Sequence, residues 1–170
     1  MEYSKGRSSG SKPSYPENSN IPRELWDGIA GYIETGYSSS GMHSPAAMYL
    51  TGFEPVLSSG FSQLLLEMIS SRNIDDSDFY NAANLSRQVF NAIVNKPNYK
   101  PTKATALACA IGLQLNINDA SILLRSAGYS FSNSNYTDMI VAYSLEHGYY
   151  DIIMINQIIY EYNEKPLGSL

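Results

Sequence analysis

The fold of this chain is decided by residues 75–95, which read DDSDFYNAANLSRQVFNAIVN. This stretch predicts two short helices, at residues 75–83 and 87–95, joined by a tight turn at residues 84–86. Asn84 suits the turn because asparagine tolerates the left-handed backbone angles that often require glycine. Two short helices joined in this way predict a helix-turn-helix unit.

Helical periodicity continues on both sides of this unit. Before it, the apolar stripe of a core-facing helix is formed by Phe61, Leu64, Leu65, Met68 and Ile69. After it, Thr102 is predicted to cap a fourth helix and Asn118 a fifth at residues 119–127, with two more near residues 136–147 and 151–162. No strand pattern appears, so the predicted fold class is all-α, with a five-helix core and two C-terminal helices. The central core is predicted to contain Phe61, Leu65, Phe90, Ile93, Leu107 and Ile111.

The first 59 residues differ in composition from the rest. Residues 1–21 are rich in Ser, Gly, Pro and Asn and have almost no aliphatic side chains, which predicts a disordered tail. Residues 22–35 have the spacing of a short amphipathic helix, and residues 36–60 resemble a linker with small apolar anchors. The compact helical domain is therefore expected to cover residues 60–170.

The helix at residues 22–35 is a candidate for binding a protein partner. Each of its two glycines lowers helix stability by about 1 kcal/mol relative to alanine, so we expect the helix to form only when docked. Trp26 would be the anchor, with Leu25 and Ile29 beside it, because large aromatic side chains dominate small interfaces.

Acidic residues are unevenly distributed along the chain. Residues 79–118 contain no Asp or Glu but include Arg87, Lys96, Lys100 and Lys103, whereas the whole chain has a formal net charge of −5. Such a local cationic region favours an anionic partner on one side of the molecule. In the alternative interpretation, these four charges form an ordinary solvated face that balances the acids of the domain.

Composition places further bounds on the class of protein. A chain of 170 residues with 44% hydrophobic content is about one domain long and can bury its own core. No apolar run approaches the roughly 20 residues of a membrane span. The N-terminus lacks the apolar core of a secretory signal, and Cys109 can form no internal disulfide. Both features predict a cytoplasmic protein.

No catalytic residue, cofactor or metal site is predicted, and the chain is not expected to be an enzyme. The sequence has no Gly-rich phosphate loop, nucleophile elbow or paired carboxylate cluster. His43 and His147 have no metal-ligating partner at a useful spacing, which argues against zinc. Cys109 lies in an alanine-rich helix and is predicted to be a core residue. The C-terminal tyrosines Tyr149, Tyr150, Tyr160 and Tyr162 are predicted to pack or to form an interface.

Several short motifs resemble known helix-turn-helix proteins. Residues 85–93, LSRQVFNAI, and 101–115, PTKATALACAIGLQL, resemble the Xre and lambda-repressor type of domain. Residues 61–170 as a whole look like a helix-turn-helix-like domain that recurs at the C-terminus of varied bacterial multi-domain proteins. The shared motifs are NLSRQVF at 84–90, KPTK at 100–103, RSAGY at 125–129, EHG at 146–148 and PLG at 166–168. Because members of that family are often fused to unrelated effector or binding domains, the resemblance implies a recruiting or sensing role as readily as gene regulation.

The repressor resemblance implies a DNA-binding surface. In that group the second helix of the motif enters the major groove, and flanking loops contact phosphates. Carried over to this chain, it places Ser86, Arg87, Gln88 and Asn91 at the groove and Lys96, Lys100 and Lys103 near the DNA backbone. Arg87 would read guanine, and Gln88 or Asn91 would read adenine.

Two hypotheses remain open from the sequence. In the first, the chain is a sequence-specific protein that binds double-stranded DNA as a homodimer. In the second, it is a protein-interaction adaptor whose contact surfaces are the Trp26 helix and the tyrosine-rich C-terminal helices. The acid-free segment coincides with the predicted recognition helix and favours the first hypothesis, whereas Asp75, Asp76 and Asp78 weaken it. Repressors of this group usually have a phosphate-binding glutamine in that neighbourhood, whereas carboxylates repel DNA.

Overall fold

The computed structural model describes residues 12–35 and 60–168. These residues form eight α-helices and contain no β-strand, which confirms the all-α prediction. The helices are α1 (Arg23–Thr35), α2 (Phe61–Ser71), α3 (Asp76–Ala82), α4 (Arg87–Asn95), α5 (Lys103–Gly112), α6 (Ile117–Ser126), α7 (Tyr136–Glu146) and α8 (Ile152–Glu161).

Helix α5 lies at the centre of the core. Every residue from Thr105 to Gly112 is buried, and the helix packs against α3, α6, α7 and α8. Its alanines let neighbouring helices approach from all sides, so α5 is buried all round instead of along one stripe. The six residues predicted for the central core are all buried, which confirms that set.

Local capping starts two helices where the sequence predicts. The Ser86 hydroxyl accepts a hydrogen bond from the Val89 N–H at 3.3 Å, at the start of α4. The Thr102 hydroxyl accepts one from the Thr105 N–H at 3.1 Å, at the start of α5. Asp75 occupies the N-cap position of α3 but makes no side-chain cap hydrogen bond.

Helix α6 begins earlier than predicted. Asn118 is the predicted cap, but Asn116 occupies the N-cap position, and its side-chain oxygen accepts hydrogen bonds from the N–H groups of Asn118 and Asp119, both at 2.9 Å. Gln114, with a φ of 51°, turns the chain at the end of α5 and brings Asn116 into this position.

The turn between α3 and α4 has the predicted left-handed residue. Asn84 has a φ of 50°, and its N–H donates to the Asn81 carbonyl at 3.0 Å. The next N–H, of Leu85, donates to the Tyr80 carbonyl at 2.8 Å. These bonds satisfy the last carbonyl groups of α3 while the chain reverses towards α4.

The N-terminal helix shares the core of the other seven helices. Leu25, Trp26 and Ile29 belong to the same buried cluster as the side chains of α5. The Trp26 ring centre lies 5.9 Å from that of Tyr162, just beyond α8. The predicted boundary near residue 60 therefore does not separate two cores.

Part of the predicted disordered tail is packed as well. Ile21 is buried, and its carbonyl accepts a hydrogen bond from the Tyr15 hydroxyl at 2.7 Å. The Tyr15 ring also meets Trp26 edge-on at 6.0 Å. Residues 12–21, which the sequence assigns to the tail, therefore include side chains that pack on α1. Composition did not indicate these contacts, because single aromatic and aliphatic residues outside any hydrophobic run make them. Residues 1–11 and the predicted linker at 36–59 lie outside the described residues.

Gly28 allows α1 to lie close to α7. A Cβ atom at this position would overlap the hydroxyl of Tyr143 and would lie 2.6 Å from its Cζ atom. Tyr143 is itself held by an edge-on contact with the Tyr32 ring at 5.6 Å and by stacking on His147 at 3.8 Å. The glycine that weakens α1 as an isolated helix therefore leaves room for the Tyr143 hydroxyl where α1 packs on α7.

Candidate nucleic-acid interface

The outer face of α4 presents the side chains predicted to read DNA. Arg87, Gln88 and Asn91 are exposed, whereas Phe90 and Ile93 on the opposite face are buried. The Ser86 cap fixes the first turn, so Arg87 and Gln88 project from the helix N-terminus. This end of a helix attracts anions because its N–H groups and its dipole are positive.

The loop after α4 adds cationic side chains next to this face. Lys96 and Lys100 are exposed, and neither forms a salt bridge within the part of the chain that the structure describes. Tyr99 lies between them and is half-buried, and burial raises the pKa of its hydroxyl. The loop can therefore offer two ammonium groups and a neutral phenol to an anionic partner.

Lys103 has a structural partner. Its ammonium group forms an ion pair with the carboxylate of Asp138 at the start of α7. Asp138 is only 1% exposed, and the same carboxylate oxygen accepts a hydrogen bond from the Ser132 N–H at 2.8 Å. The assignment of Lys103 to a phosphate contact is therefore not supported, since releasing it would leave a buried charge without its counter-ion.

Sequence reasoning missed Asp138 as the partner of Lys103. The available signal was an acid among the apolar residues of α7, because a charge in such a helix usually has a partner. The sequence could not show that this partner is Lys103, since Lys103 and Asp138 lie 35 positions apart.

Three carboxylates lie at the start of the helix before the turn. Asp75, Asp76 and Asp78 are all exposed, as the sequence suggests for a helix N-terminus. None of them forms a salt bridge among the described residues. The α3–turn–α4 unit thus presents negative charge at the start of α3 and positive charge on α4 and its following loop.

The predicted partner-binding residues of α1 face the interior. Trp26 is 2% exposed, and Leu25 and Ile29 are also buried. In this structure these side chains contact the protein's own core, so they are not displayed to a partner. Periodicity identified the apolar face of α1 correctly but could not show that α7 and the C-terminal aromatic residues cover it.

The C-terminal tyrosines are in different environments. Tyr162 is buried, Tyr149 and Tyr150 are half-buried, and Tyr160 is 72% exposed. Ile153 lies seven residues before Tyr160 on the same face of α8 and is 57% exposed. Tyr160 is thus the one of the four tyrosines that is available to an interface, and Ile153 is an exposed apolar neighbour on the same face that the sequence pattern did not single out.

The other candidate side chains, Cys109 and His147, make contacts within the protein itself. Cys109 is fully buried, and burial strongly raises the pKa of its thiol, so the reactive thiolate is disfavoured. The His147 imidazole hydrogen-bonds the Tyr143 carbonyl at 2.9 Å. His43 lies outside the described residues.

Within residues 12–35 and 60–168, no group of three His, Cys, Asp or Glu side chains is placed to hold a metal ion. Across the same residues, no helix has the length and apolar character to cross a bilayer.

Comparison with known proteins provides no assignment. No family model, curated protein sequence or solved structure matches this chain. The Xre-like resemblance and the cytoplasmic location therefore remain predictions from the sequence.

Proposed function

We propose that the α3–turn–α4 unit is a helix-turn-helix that binds double-stranded DNA, with α4 as its recognition helix. The main support is the exposed face of α4, which carries Arg87, Gln88 and Asn91 and to which the helix itself contributes no acidic residue. These side-chain types match the hydrogen-bonding edges of guanine and adenine in the major groove.

In this proposal the phosphates are bound by fewer cations than the sequence suggests. Lys96 and Lys100 are exposed, whereas Lys103 is paired with Asp138. Two phosphate contacts correspond to a slope of about −1.8 in log affinity against log salt, or roughly a 12-fold loss between 50 and 200 mM. Asp75, Asp76 and Asp78 lower the affinity further if the start of α3 approaches the DNA.

Fluorescence anisotropy with a random duplex at low and moderate salt tests the proposal. Lys100→Ala should lower affinity for all duplexes and reduce the salt slope by about one unit. Lys12→Ala is the matched control, because it removes the same charge in the N-terminal segment, where Lys12 pairs with Glu34. Asp76→Asn should strengthen binding if the acidic end of α3 lies near a phosphate.

A site selected from a duplex library tests the role of α4 in base readout. Arg87→Ala should weaken binding to that site by about 1–3 kcal/mol and relax one base preference. If the wild type shows no salt-dependent binding, or if Arg87→Ala and Asp76→Asn both leave affinity unchanged, this face does not contact DNA.

A protein-interaction adaptor is the second candidate. It is favoured by the exposed Ile153 and Tyr160 on α8, since apolar and aromatic residues of this kind anchor protein interfaces. The double variant Ile153→Ser with Tyr160→Ser should then lose a captured protein partner that Arg87→Ala retains. Equal capture by both variants would exclude this surface.

A further inference from the structure

The C-terminal segment at residues 166–168 is bound to the turn between α3 and α4. Leu167 is fully buried, and both of its backbone polar groups are hydrogen-bonded to the side chain of Asn156 on α8. Its N–H donates to the Asn156 Oδ1 at 2.7 Å, and its carbonyl accepts from the Asn156 Nδ2 at 3.1 Å. The same carbonyl also accepts a hydrogen bond from the Nδ2 of Asn84 at 3.3 Å.

Close contact between this segment and the turn depends on Gly168. A Cβ atom there would overlap the Asn84 carbonyl oxygen and would lie 3.0 Å from the Asn84 Nδ2. Gly168 also has a φ of 92°, a conformation that residues with side chains rarely adopt. The segment therefore contacts both the backbone and the side chain of the residue that reverses the chain.

The turn also lies close to α5. A Cβ atom at Gly112 would lie 2.7 Å from the Cβ of Ala83. The turn thus contacts both α5, through Ala83, and the C-terminal segment, where Leu167 is 83 positions away from Asn84 in the sequence. Since Asn84 and Leu85 set where α3 ends and α4 begins, whatever holds them also sets the orientation of α4.

We propose that residues 166–168 act as a strap that holds the α3–α4 turn closed. With the strap bound, α4 is presented at the observed angle. Release of the strap loosens the turn and changes the presentation of α4. Asn156 is the positioning residue of this device, because it binds the strap to α8 through both hydrogen bonds of Leu167.

Amide hydrogen exchange of the full chain, followed by NMR, tests the strap. The reporter is the Leu85 N–H, which donates to the Tyr80 carbonyl at 2.8 Å. The reference is the Tyr129 N–H at the end of α6, which donates to the Leu124 carbonyl at 2.9 Å in the same i to i−5 pattern. Both reporters lie in similar turns, and only the first is held by the strap.

Asn156→Asp is the main variant. It keeps the acceptor for the Leu167 N–H but replaces the donor that faces the Leu167 carbonyl with a second oxygen. Gln157→Glu is the matched control, since it makes the same change of amide to carboxylate at the exposed neighbouring position. We expect Leu85 exchange to rise about fivefold in Asn156→Asp, the ratio expected for the loss of one hydrogen bond. It should remain unchanged in Gln157→Glu.

A second pair of variants separates crowding from backbone strain. Gly168→Ala should accelerate Leu85 exchange by at least as much as Asn156→Asp. Gly128→Ala, at a φ of 82° with nothing within 4 Å of the new Cβ, should accelerate Tyr129 instead. Unchanged Leu85 exchange in Asn156→Asp and Gly168→Ala would overturn the strap. Equal acceleration of Leu85 and Tyr129 in those variants would also overturn it, because this pattern indicates general loss of stability.

The consequence for DNA affinity rests on the proposed function and is measured separately. If the wild type binds a selected duplex, Asn156→Asp should bind it at least threefold more weakly than Gln157→Glu, because the opened turn no longer fixes α4. A wild type without DNA binding but with the expected exchange pattern would refute the proposed function and leave the strap supported.

Discussion

Substituting the two glycines of α1 tests how this helix docks. Gly28→Ala and Gly31→Ala both gain helix propensity of about 1 kcal/mol, and both sites lie in the same helix. A Cβ at Gly28 meets the ring of Tyr143, whereas a Cβ at Gly31 has no neighbour within 4 Å. Helix propensity therefore cancels in the comparison, and the packing cost at Gly28 remains.

The size of that cost follows from what must move. The atoms in the way are the hydroxyl end of the half-buried Tyr143 ring, whose withdrawal weakens its contacts with the Tyr32 ring and with His147. Overpacking of this kind costs about 1–3 kcal/mol. Urea unfolding should thus place Gly28→Ala about 1–3 kcal/mol below Gly31→Ala in free energy of unfolding, with Gly31→Ala at or above the wild type.

A double-mutant cycle with Tyr143→Phe checks the assigned contact. Removing the hydroxyl takes away the atom nearest to the new Cβ, so Gly28→Ala should cost less in the Tyr143→Phe background. The Cζ atom at 2.6 Å remains, and the relief should be partial. Equal stabilities of Gly28→Ala and Gly31→Ala would show that α1 does not pack on α7 as described.

Three further predictions concern stability. Phe90→Ala and Leu107→Ala should each lower the free energy of unfolding by about 2–5 kcal/mol in urea titrations, because both side chains are buried; an unchanged midpoint would contradict their placement. Lys103→Ala should lower the free energy of unfolding by about 1–3 kcal/mol, because the buried Asp138 carboxylate loses its partly exposed partner but keeps the Ser132 N–H, with little direct effect on DNA affinity; calorimetry and anisotropy on the same samples separate the two effects. Burial raises the pKa of Tyr162 from 10.0 to about 12. Between these pH values the tyrosine ionises in the unfolded chain but not in the folded one, so the free energy of unfolding should fall by about 2–3 kcal/mol as the pH rises from 10 to 12. Among the described residues its hydroxyl has no hydrogen-bond partner, so Tyr162→Phe should be as stable as the wild type at pH 7 and should lack this loss in alkaline unfolding titrations.

The local features of the fold were predictable because they depend on residues close in sequence. Ser86 and Thr102 cap their helices through N–H groups three positions away. Asn84 adopts the left-handed conformation through its own backbone preference. The apolar stripes identified the buried faces of α2 and α4, and the polar face of α4 followed from the same periodicity. Each of these features depends on residues within a few positions of one another, so few other local arrangements compete with it and the sequence alone indicates it.

Contacts between distant residues were decided only by the tertiary structure. In the sequence Lys103 could not be distinguished from Lys100, and only the fold shows that Lys103 is paired with Asp138. The apolar face of α1 was evident, but its burial against α7 was not. Likewise, the contact between Asn84 and Leu167 joins residues 83 positions apart. Periodicity shows that a face will be buried or exposed, but which neighbour covers it depends on the packing of the whole chain, and so does the set of charges left free for a partner.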